Sequence, residues 1–214
     1  MNCGSVGSHC CSKLCTPLRG EQQATHENVA KNAKKSLLYM KVDMDYNELI
    51  CLWTKAFNWL YDKDIALFET DVQERAIAGR LAIYLQHEFD PHYEKAACID
   101  LEYNREGDGI KRPHPKIDDG WIAPDILLHV RKKRENIFYC EVKKKSDAHN
   151  ADSVRVKDAL VERKYQYGLN LYYVRVDCAK VSIYTWNDNS IQRINYVYCP
   201  SIKQLEPLGN AENL

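Results

Sequence analysis

The sequence predicts an α/β fold in which a mixed central sheet is flanked by helices. Two early segments, 46–60 and 72–89, repeat apolar residues at helical spacing. From residue 97 the apolar pattern alternates with period two, as it does in strands that bury one face. The chain has 214 residues, which is enough for one domain with a substantial core.

The first 35 residues differ from the rest in composition. They are rich in Gly, Ser and Cys and then polar, so we predict a poorly ordered tail and linker at 1–35 and a single domain at 36–214. Four of the nine cysteines lie within the first fifteen residues. A zinc site would favour paired CxxC spacing, and this segment has none, so the tail is the better interpretation.

Charge and hydropathy exclude several classes of protein. Lys+Arg and Asp+Glu both total 30, so the net charge is zero and gives no global attraction to nucleic acid. A local basic patch could still bind it. No apolar run is long enough for a transmembrane helix, and the N-terminus lacks the apolar core of a secretory signal. We therefore expect a cytoplasmic protein with no membrane contact and with reduced thiols.

The first half of the domain should contain two helices and a strand. The helix at 72–89 can be capped by Thr70 or Asp71 and should end before Pro91. The strand at 97–103 alternates, and places Cys98, Asp100 and Glu102 on the face opposite its apolar residues. The helix at 46–60 has its apolar positions at Leu49, Ile50, Trp53, Phe57 and Leu60.

The second half is predicted to be mostly strand. A loop rich in Gly, Pro and charge covers 106–120, and strands at 121–130 and 136–143 follow. Their connection is short, so they should pair as an antiparallel hairpin. A helix at 153–165 comes next, with Asp152 near its cap. Three further strands are expected at 170–178, 181–186 and 191–198.

Asp125 and Glu141 are acids inside otherwise apolar strands. Strand residues two apart share a face, so Glu141 and Lys143 lie together and Asp125 can meet them across the hairpin. Adjacent carboxylates repel unless a cation lies between them, and oxygen ligands suit magnesium. A neighbouring lysine could hold or activate water, or neutralise charge that develops on a phosphate.

The motif Pro124-Asp125 followed by Glu141-Val142-Lys143 resembles that of the PD-(D/E)XK nuclease superfamily, which has the restriction-endonuclease-like fold. The predicted order of helix, three strands, helix and strand is similar to the core of that family, over about residues 70–178. The run EYNR…PD…HxR…ExKK also looks like an uncharacterised prokaryotic group within it. The chain departs from several exonuclease-like members, which carry QxxxY where this sequence has YQYG at 165–168.

This resemblance implies an αβββαβ core, with an N-terminal helix and C-terminal strands added to it. It implies metal-dependent hydrolysis of phosphodiester bonds, usually in DNA, with Mg²⁺ as cofactor and Mn²⁺ as a substitute. Asp125, Glu141 and the backbone carbonyl of Val142 would bind the metal, and Lys143 would be the catalytic lysine. Glu74 would be the acid on the first core helix that completes the catalytic and metal-binding set.

Several residues have a second interpretation. Glu74 fits a capping box with Asp71, although it also begins the buried stripe of its helix. Asp100 and Glu102 could form the solvent side of an edge strand, or one of them could face the metal cleft. His129 is more typical of a hydrogen-bonded core histidine than of a catalyst.

Basic residues near the motif are candidates for contacts with nucleic acid. Arg131, Lys144 and Lys157 could bind phosphates, or they could simply face solvent. The expected partner is nucleic acid, with DNA first, and a homodimer would be compatible with this. The pattern does not separate DNA from RNA or an endonuclease from an exonuclease.

Two other functions are compatible with the sequence. The chain could be a nuclease-fold module that has lost turnover and serves as a binding or regulatory protein. It could instead be an interaction protein whose partner surface combines Cys3–Cys15 with Trp53, Phe57 and Trp59. The intact set of Asp125, Glu141 and Lys143 favours the enzyme.

Overall fold

Helices come first along the chain and strands follow, with one helix inserted among the strands. A computed structural model describes residues 43–70, 72–89, 97–106, 109–110, 123–133, 135–144, 150–187 and 189–214. Contacts divide the chain into Met1–Met40, which lies outside these ranges, and Lys41–Leu214, which contains all of them. The predicted tail, including its cysteines, therefore lies outside the described residues.

Helix α1 (Tyr46–Lys63) begins at a capping box. Asp45 accepts a hydrogen bond from Glu48 N at 2.8 Å, and Glu48 accepts one from Asp45 N at 2.8 Å. A short helix, α2 (Ala66–Glu69), precedes α3 (Glu74–Phe89), which begins two residues later than predicted. None of the helices within the described residues has an apolar stretch of the length that crosses a membrane.

The aromatic residues of α1 are mostly interior. Trp53 and Phe57 are fully buried and pack against Phe138 and Tyr198. Trp59 is partly exposed, and its Nε1 donates to Glu88 at 2.8 Å. The interpretation of this helix as a partner surface is therefore wrong for Trp53 and Phe57, because burial of these rings builds the core.

Within the described residues, the strands form a sheet of eight strands and a separate pair. The strands of the large sheet are β1 (Cys98–Leu101), β4 (Ile126–Val130), β5 (Glu135–Val142), β6 (Tyr167–Tyr172), β7 (Ala179–Asn187), β8 (Ser190–Cys199), β9 (Gln204–Pro207) and β10 (Glu212–Asn213). Along the large sheet the order is β1–β4–β5–β6–β7–β8–β10, with β9 also paired to β8. Neighbouring strands are antiparallel except for β5 and β6, which are parallel. This confirms the predicted mixed α/β architecture.

The predicted hairpin is confirmed as β4 and β5, with a register shift between Leu128 and His129. β1 pairs with β4 and ends where Glu102 adopts a positive φ of 48°. Part of the predicted loop at 106–120 is wrong, because β2 (Arg105–Glu106) and β3 (Gly109–Ile110) pair as a short hairpin. The rest of that loop lies outside the described residues.

Helix α4 (Asn150–Val161) connects the parallel strands β5 and β6. It begins three residues earlier and ends four residues earlier than the predicted helix at 153–165. The helix ends before 165 because Lys164 takes a left-handed φ of 57°, and Tyr165 N instead bonds to Ala159 O at 3.2 Å. β6 therefore starts at Tyr167, three residues earlier than predicted, and ends at Tyr172. Its second residue, Gly168, lies directly beneath α4.

The strands predicted at 181–186 and 191–198 are confirmed as β7 and β8, although both are longer than expected. β9 and β10 are too short to show a period-two pattern, and the sequence did not predict them. Both lie against β8 at the far side of the sheet from β1.

The sheet separates two cores. In the larger core, one face of the sheet packs against α1 and α3. The smaller one places Val156, Ala159 and Leu160 of α4 against Leu127 and Tyr139 of the hairpin. Along each strand, the residues that face α4 therefore alternate with the residues that face the larger core.

Candidate functional site

Asp125 and Glu141 lie beside each other on neighbouring strands. Ile126 pairs with Cys140 in the β4–β5 register, so Asp125 and Glu141 come next to each other at the end of the hairpin. Asp125 Oδ2 accepts a hydrogen bond from the backbone N–H of Val142 at 2.7 Å. The structure therefore brings together the two acids that the sequence pattern paired.

Glu141 is a buried carboxylate on the face that α4 covers. Glu141 is 4% exposed, and the Tyr139 hydroxyl donates a hydrogen bond to its Oε1 at 2.5 Å. Burial, with the charge of Asp125 added to it, raises the pKa of Glu141 to about 8. Burial also raises the pKa of Asp125, although the Val142 N–H and Lys143 oppose this. Both carboxyls are thus held where ionisation is unfavourable without a cation.

Lys143 is the positive group of the site. Its Nζ lies 3.5 Å from Glu74 Oε2, and its side chain is 33% exposed. Burial alone would lower the pKa of Lys143, but the surrounding carboxylates, first Asp125 and then Asp152 and Glu74, raise it. The ammonium form is therefore favoured at neutral pH.

The backbone carbonyl of Val142 is directed toward the acids. In an extended strand the N–H and C=O of one residue point to the same side. The Val142 N–H points to Asp125 on β4, whereas the next N–H, that of Lys143, donates to Leu171 O of β6 at 2.7 Å. The Val142 carbonyl therefore shares the Asp125 side, as the family resemblance implied for a metal ligand.

Glu74 lies at the edge of the site as the first residue of α3. Its Oε1 accepts a hydrogen bond from Lys144 N at 2.9 Å, so it connects α3 to the end of β5. Its Oε2 faces Lys143. The capping partner that the sequence suggested, Asp71, lies outside the described residues.

The three basic residues that the sequence proposed for nucleic-acid contacts have different surroundings. Arg131 is half-exposed but forms an ion pair with Asp100. Lys144 Nζ donates to Val72 O at 2.7 Å, so this lysine helps to hold α3 against β5. Lys157 is partly buried on α4. A phosphate that contacted Arg131 or Lys144 would compete with Asp100 or with the Val72 carbonyl for the same charged group.

Cys98, Asp100 and His129 form a second group of potential ligands, whose ligand atoms all lie within 4.8 Å of one another. Asp100 already accepts hydrogen bonds from His129 Nε2 at 2.9 Å and from Arg131 Nε at 2.8 Å. Burial would raise the pKa of Asp100, but these hydrogen bonds outweigh it and lower the pKa to about 2. Burial also raises the pKa of the Cys98 thiol to about 11. These contacts favour an ion-pair network that holds β1 to β4, with His129 as a buried hydrogen-bonded histidine.

The acid Glu102 pairs with Arg75 of α3 at 2.6 Å. Together with the partners of Asp100, this places neither Asp100 nor Glu102 among the contacts of Asp125 and Glu141. The interpretation in which an acid of β1 faces the cleft is therefore not supported by its contacts.

Sequence reasoning missed two residues that the structure brings to the site. Asp152 is 3% exposed in the first turn of α4, one turn before Val156, and Asn170 of β6 is paired in register with Glu141. Asp152 was expected near the helix cap, but the helix begins at Asn150. A signal was present for Asn170, since it is a polar residue within the apolar strand GLNLYY, as Asp125 and Glu141 are in theirs.

The donor set suits a hard divalent cation. It consists of carboxylates and carbonyl oxygens, and Mg²⁺ typically takes one or two protein carboxylates and keeps several waters. Within the described residues, no trio including Asp125 or Glu141 has all its ligand atoms within 4.8 Å. A bound cation would remove the repulsion between the two carboxylates.

Comparison of the chain with models of protein families, with curated proteins and with solved structures found no match. The residues of the site and their geometry are therefore the basis for assigning a function. They combine a buried carboxylate beside a partly buried one, a backbone carbonyl that points to the side of Asp125, and a protonated lysine.

Proposed function

We propose that this chain is a metal-dependent nuclease that hydrolyses phosphodiester bonds of nucleic acid, with DNA as the expected substrate. The observation that carries the proposal is the adjacency of Asp125 and Glu141 at the end of the hairpin, within reach of the Lys143 charge. Placing a buried carboxylate beside a partly buried one is unfavourable unless a cation compensates for their charge. A functional role explains why the fold retains this arrangement.

The order of the elements supports a restriction-endonuclease-like fold. Leaving aside the separate pair β2 and β3, which is inserted between β1 and β4, the elements follow in the order helix, three strands, helix, strand, namely α3, β1, β4, β5, α4 and β6. The four strands are also neighbours in that order within the sheet. On this proposal α1 is the N-terminal addition, and β7 to β10 are the C-terminal additions.

Asp125, Glu141 and the Val142 carbonyl would hold Mg²⁺, with Mn²⁺ as a substitute. The bound ion would stabilise negative charge on the phosphate and lower the pKa of a water. Lys143, which is protonated, neutralises charge that develops on the phosphate oxygens as the water oxygen attacks phosphorus and the P–O bond to the leaving group breaks. Glu74 orients the Lys143 ammonium. No covalent intermediate with the protein is required.

We expect Lys143→Ala to slow cleavage by about 10²-fold or more, because loss of one preorganised charge that stabilises the transition state has effects of this size. The test measures cleavage of single- and double-stranded DNA and RNA by the purified full chain, with Mg²⁺ or Mn²⁺. Lys133→Ala is the matched control, because Lys133 lies in the exposed hairpin turn and pairs with Glu135 only at 3.7 Å. It should keep wild-type activity.

Equal cleavage by wild type and Lys143→Ala would indicate a contaminating nuclease and would remove the support for an enzyme. Binding of nucleic acid by both proteins without cleavage by either would favour the alternative, a nuclease-fold module without turnover. The four substrates in the same assay also separate DNA from RNA.

A further inference from the structure

Two buried oxygen atoms near Glu141 have no hydrogen-bond partner in the part of the chain that the structure describes. They are Asp152 Oδ2 and Asn170 Oδ1, on residues that are 3% and 2% exposed. Buried polar atoms in folded proteins are almost always paired, so an unpaired acceptor requires an explanation. Two unpaired acceptors in one region point to a ligand that can donate to both.

The fold brings both residues to the candidate site. Asn170 is the β6 neighbour of Glu141 in the parallel register, and side chains paired in this way point to the same face of the sheet. Asn170 Nδ2 donates to Ser153 Oγ at 3.2 Å, which places the first turn of α4 above Asn170. Asp152 directly precedes Ser153 and is close enough to act on the charges of Asp125, Glu141 and Lys143.

The contacts that Asp152 does make leave its charge poorly compensated. Its Oδ1 lies 3.5 Å from Arg155 Nη1, which is long for a hydrogen bond, and the Arg155 side chain is itself 31% exposed. An acid in the first turn of a helix is also favoured by the helix dipole. That effect explains a surface acid, but it does not require burial beside two other carboxylates.

Both free atoms are acceptors, so the missing partner is a donor or a cation. Mg²⁺ and Mn²⁺ retain several coordinated waters, and the hydrogens of these waters are strong donors. Since the ligand atoms of Asp152, Asp125 and Glu141 do not all lie within 4.8 Å of one another, a position outside the inner ligands suits Asp152. Residues in such positions are worth about 10- to 100-fold in metal affinity in other metal sites.

We propose that Asp152 and Asn170 extend the metal site, and that Asp152 Oδ2 and Asn170 Oδ1 accept hydrogen bonds from the waters of a divalent cation held by Asp125 and Glu141. This inference rests on the proposed function, because it requires a cation at those two acids. Both residues are positioning residues, since they act through the hydration shell and not on the reacting atoms.

The test measures Mn²⁺ affinity of the full chain by electron paramagnetic resonance, for wild type and for Asp152→Asn. We expect Asp152→Asn to weaken Mn²⁺ binding about 10- to 100-fold, because the negative acceptor is lost while the inner ligands remain. Glu162→Gln is the matched control, since Glu162 is exposed just beyond the other end of α4. It should bind Mn²⁺ as wild type does.

A second readout separates metal positioning from a structural role in the helix. Urea unfolding in EDTA should show Asp152→Asn to be more stable than wild type, because a buried and poorly paired charge is removed. A destabilised variant with unchanged Mn²⁺ affinity would identify Asp152 as a helix-stabilising acid and overturn the inference. Failure of the wild type itself to bind Mn²⁺ would overturn the proposed function, whereas unchanged affinity in Asp152→Asn alone would overturn only this extension.

Discussion

Glu141→Gln should abolish Mg²⁺-dependent cleavage and, in the same protein, increase the stability of the metal-free fold at alkaline pH. Activity falls because a neutral amide replaces a carboxylate ligand. Stability rises because Gln keeps the hydrogen bond from the Tyr139 hydroxyl while removing a charge that is buried beside Asp125. A residue retained only for folding would not show these opposite effects.

The pH dependence of this stability follows from the raised pKa. The carboxyl of Glu141 has a folded-state pKa of about 8, above its ordinary value of 4.5. Below about pH 4.5 both states of the protein carry the proton, so the group has no effect on stability. As the pH rises toward 8, only the unfolded state loses the proton, and the metal-free wild type is destabilised progressively. Above pH 8 the loss is complete, on the order of 5 kcal/mol.

Urea unfolding in EDTA at pH 5 and pH 9 measures this effect. We expect the free energy of unfolding of Glu141→Gln to exceed that of the wild type by roughly 5 kcal/mol at pH 9 and by much less at pH 5. Glu135→Gln, at the partly exposed start of the same strand, should show little difference at either pH. A Glu141→Gln protein that is less stable than wild type at pH 9 would show that the carboxylate is well compensated in the metal-free fold.

Gly168→Ala should destabilise the fold by about 2 kcal/mol, because overpacking a well-filled core has costs of this size. An alanine Cβ at this position would lie 2.3 Å from Val156 Cγ1 and 3.3 Å from the Val156 carbonyl oxygen. Valine in a helix has little freedom to change its rotamer, so α4 would have to move away from the sheet. Asp152, one turn earlier on α4, would move with it, and Mn²⁺ affinity should also fall.

Two controls separate this clash from the usual effect of replacing glycine. Gly79→Ala in α3 meets no atom within 4 Å and should instead stabilise the fold by about 0.5–1 kcal/mol through helix propensity. In the double variant Gly168→Ala with Val156→Ala, the removed methyl groups make room, so the two changes should be clearly non-additive in urea unfolding. Additive losses would show that α4 is not held at its distance from the sheet by Gly168.

The sequence predicted the elements with strong periodicity and missed those that depend on contacts distant in sequence. The amphipathic pattern of α1 and the short connection between β4 and β5 are local signals, and both elements were found where expected. The end of α4 depends on the left-handed backbone at Lys164 and on the close approach at Gly168. Neither feature appears in the periodic pattern of apolar residues, because tertiary packing determines both.

The same distinction applies to the site. Asp125, Glu141 and Lys143 could be connected from sequence because a hairpin brings together residues that are close in the chain. The positions of Asp152 and Asn170 depend on the crossover through α4, whose packing on the sheet determines which helix residues are buried. The partners of Arg131 and Lys144 were also unpredictable, since Asp100 and Val72 come from β1 and from the segment before α3.

The proposed function requires that Asp125 and Glu141 hold the metal on which hydrolysis depends, and Asp125→Asn removes the charge of one of these two acids. Asparagine can still accept the hydrogen bond from Val142 N–H, so the variant should remain folded while losing a charged ligand. The measurement is the initial rate of DNA cleavage against Mg²⁺ concentration, for wild type and variant purified in parallel. We expect saturable, EDTA-sensitive cleavage by the wild type and none by Asp125→Asn at any Mg²⁺ concentration. Equal rates in the two proteins, or wild-type cleavage that persists in EDTA, would contradict the claim.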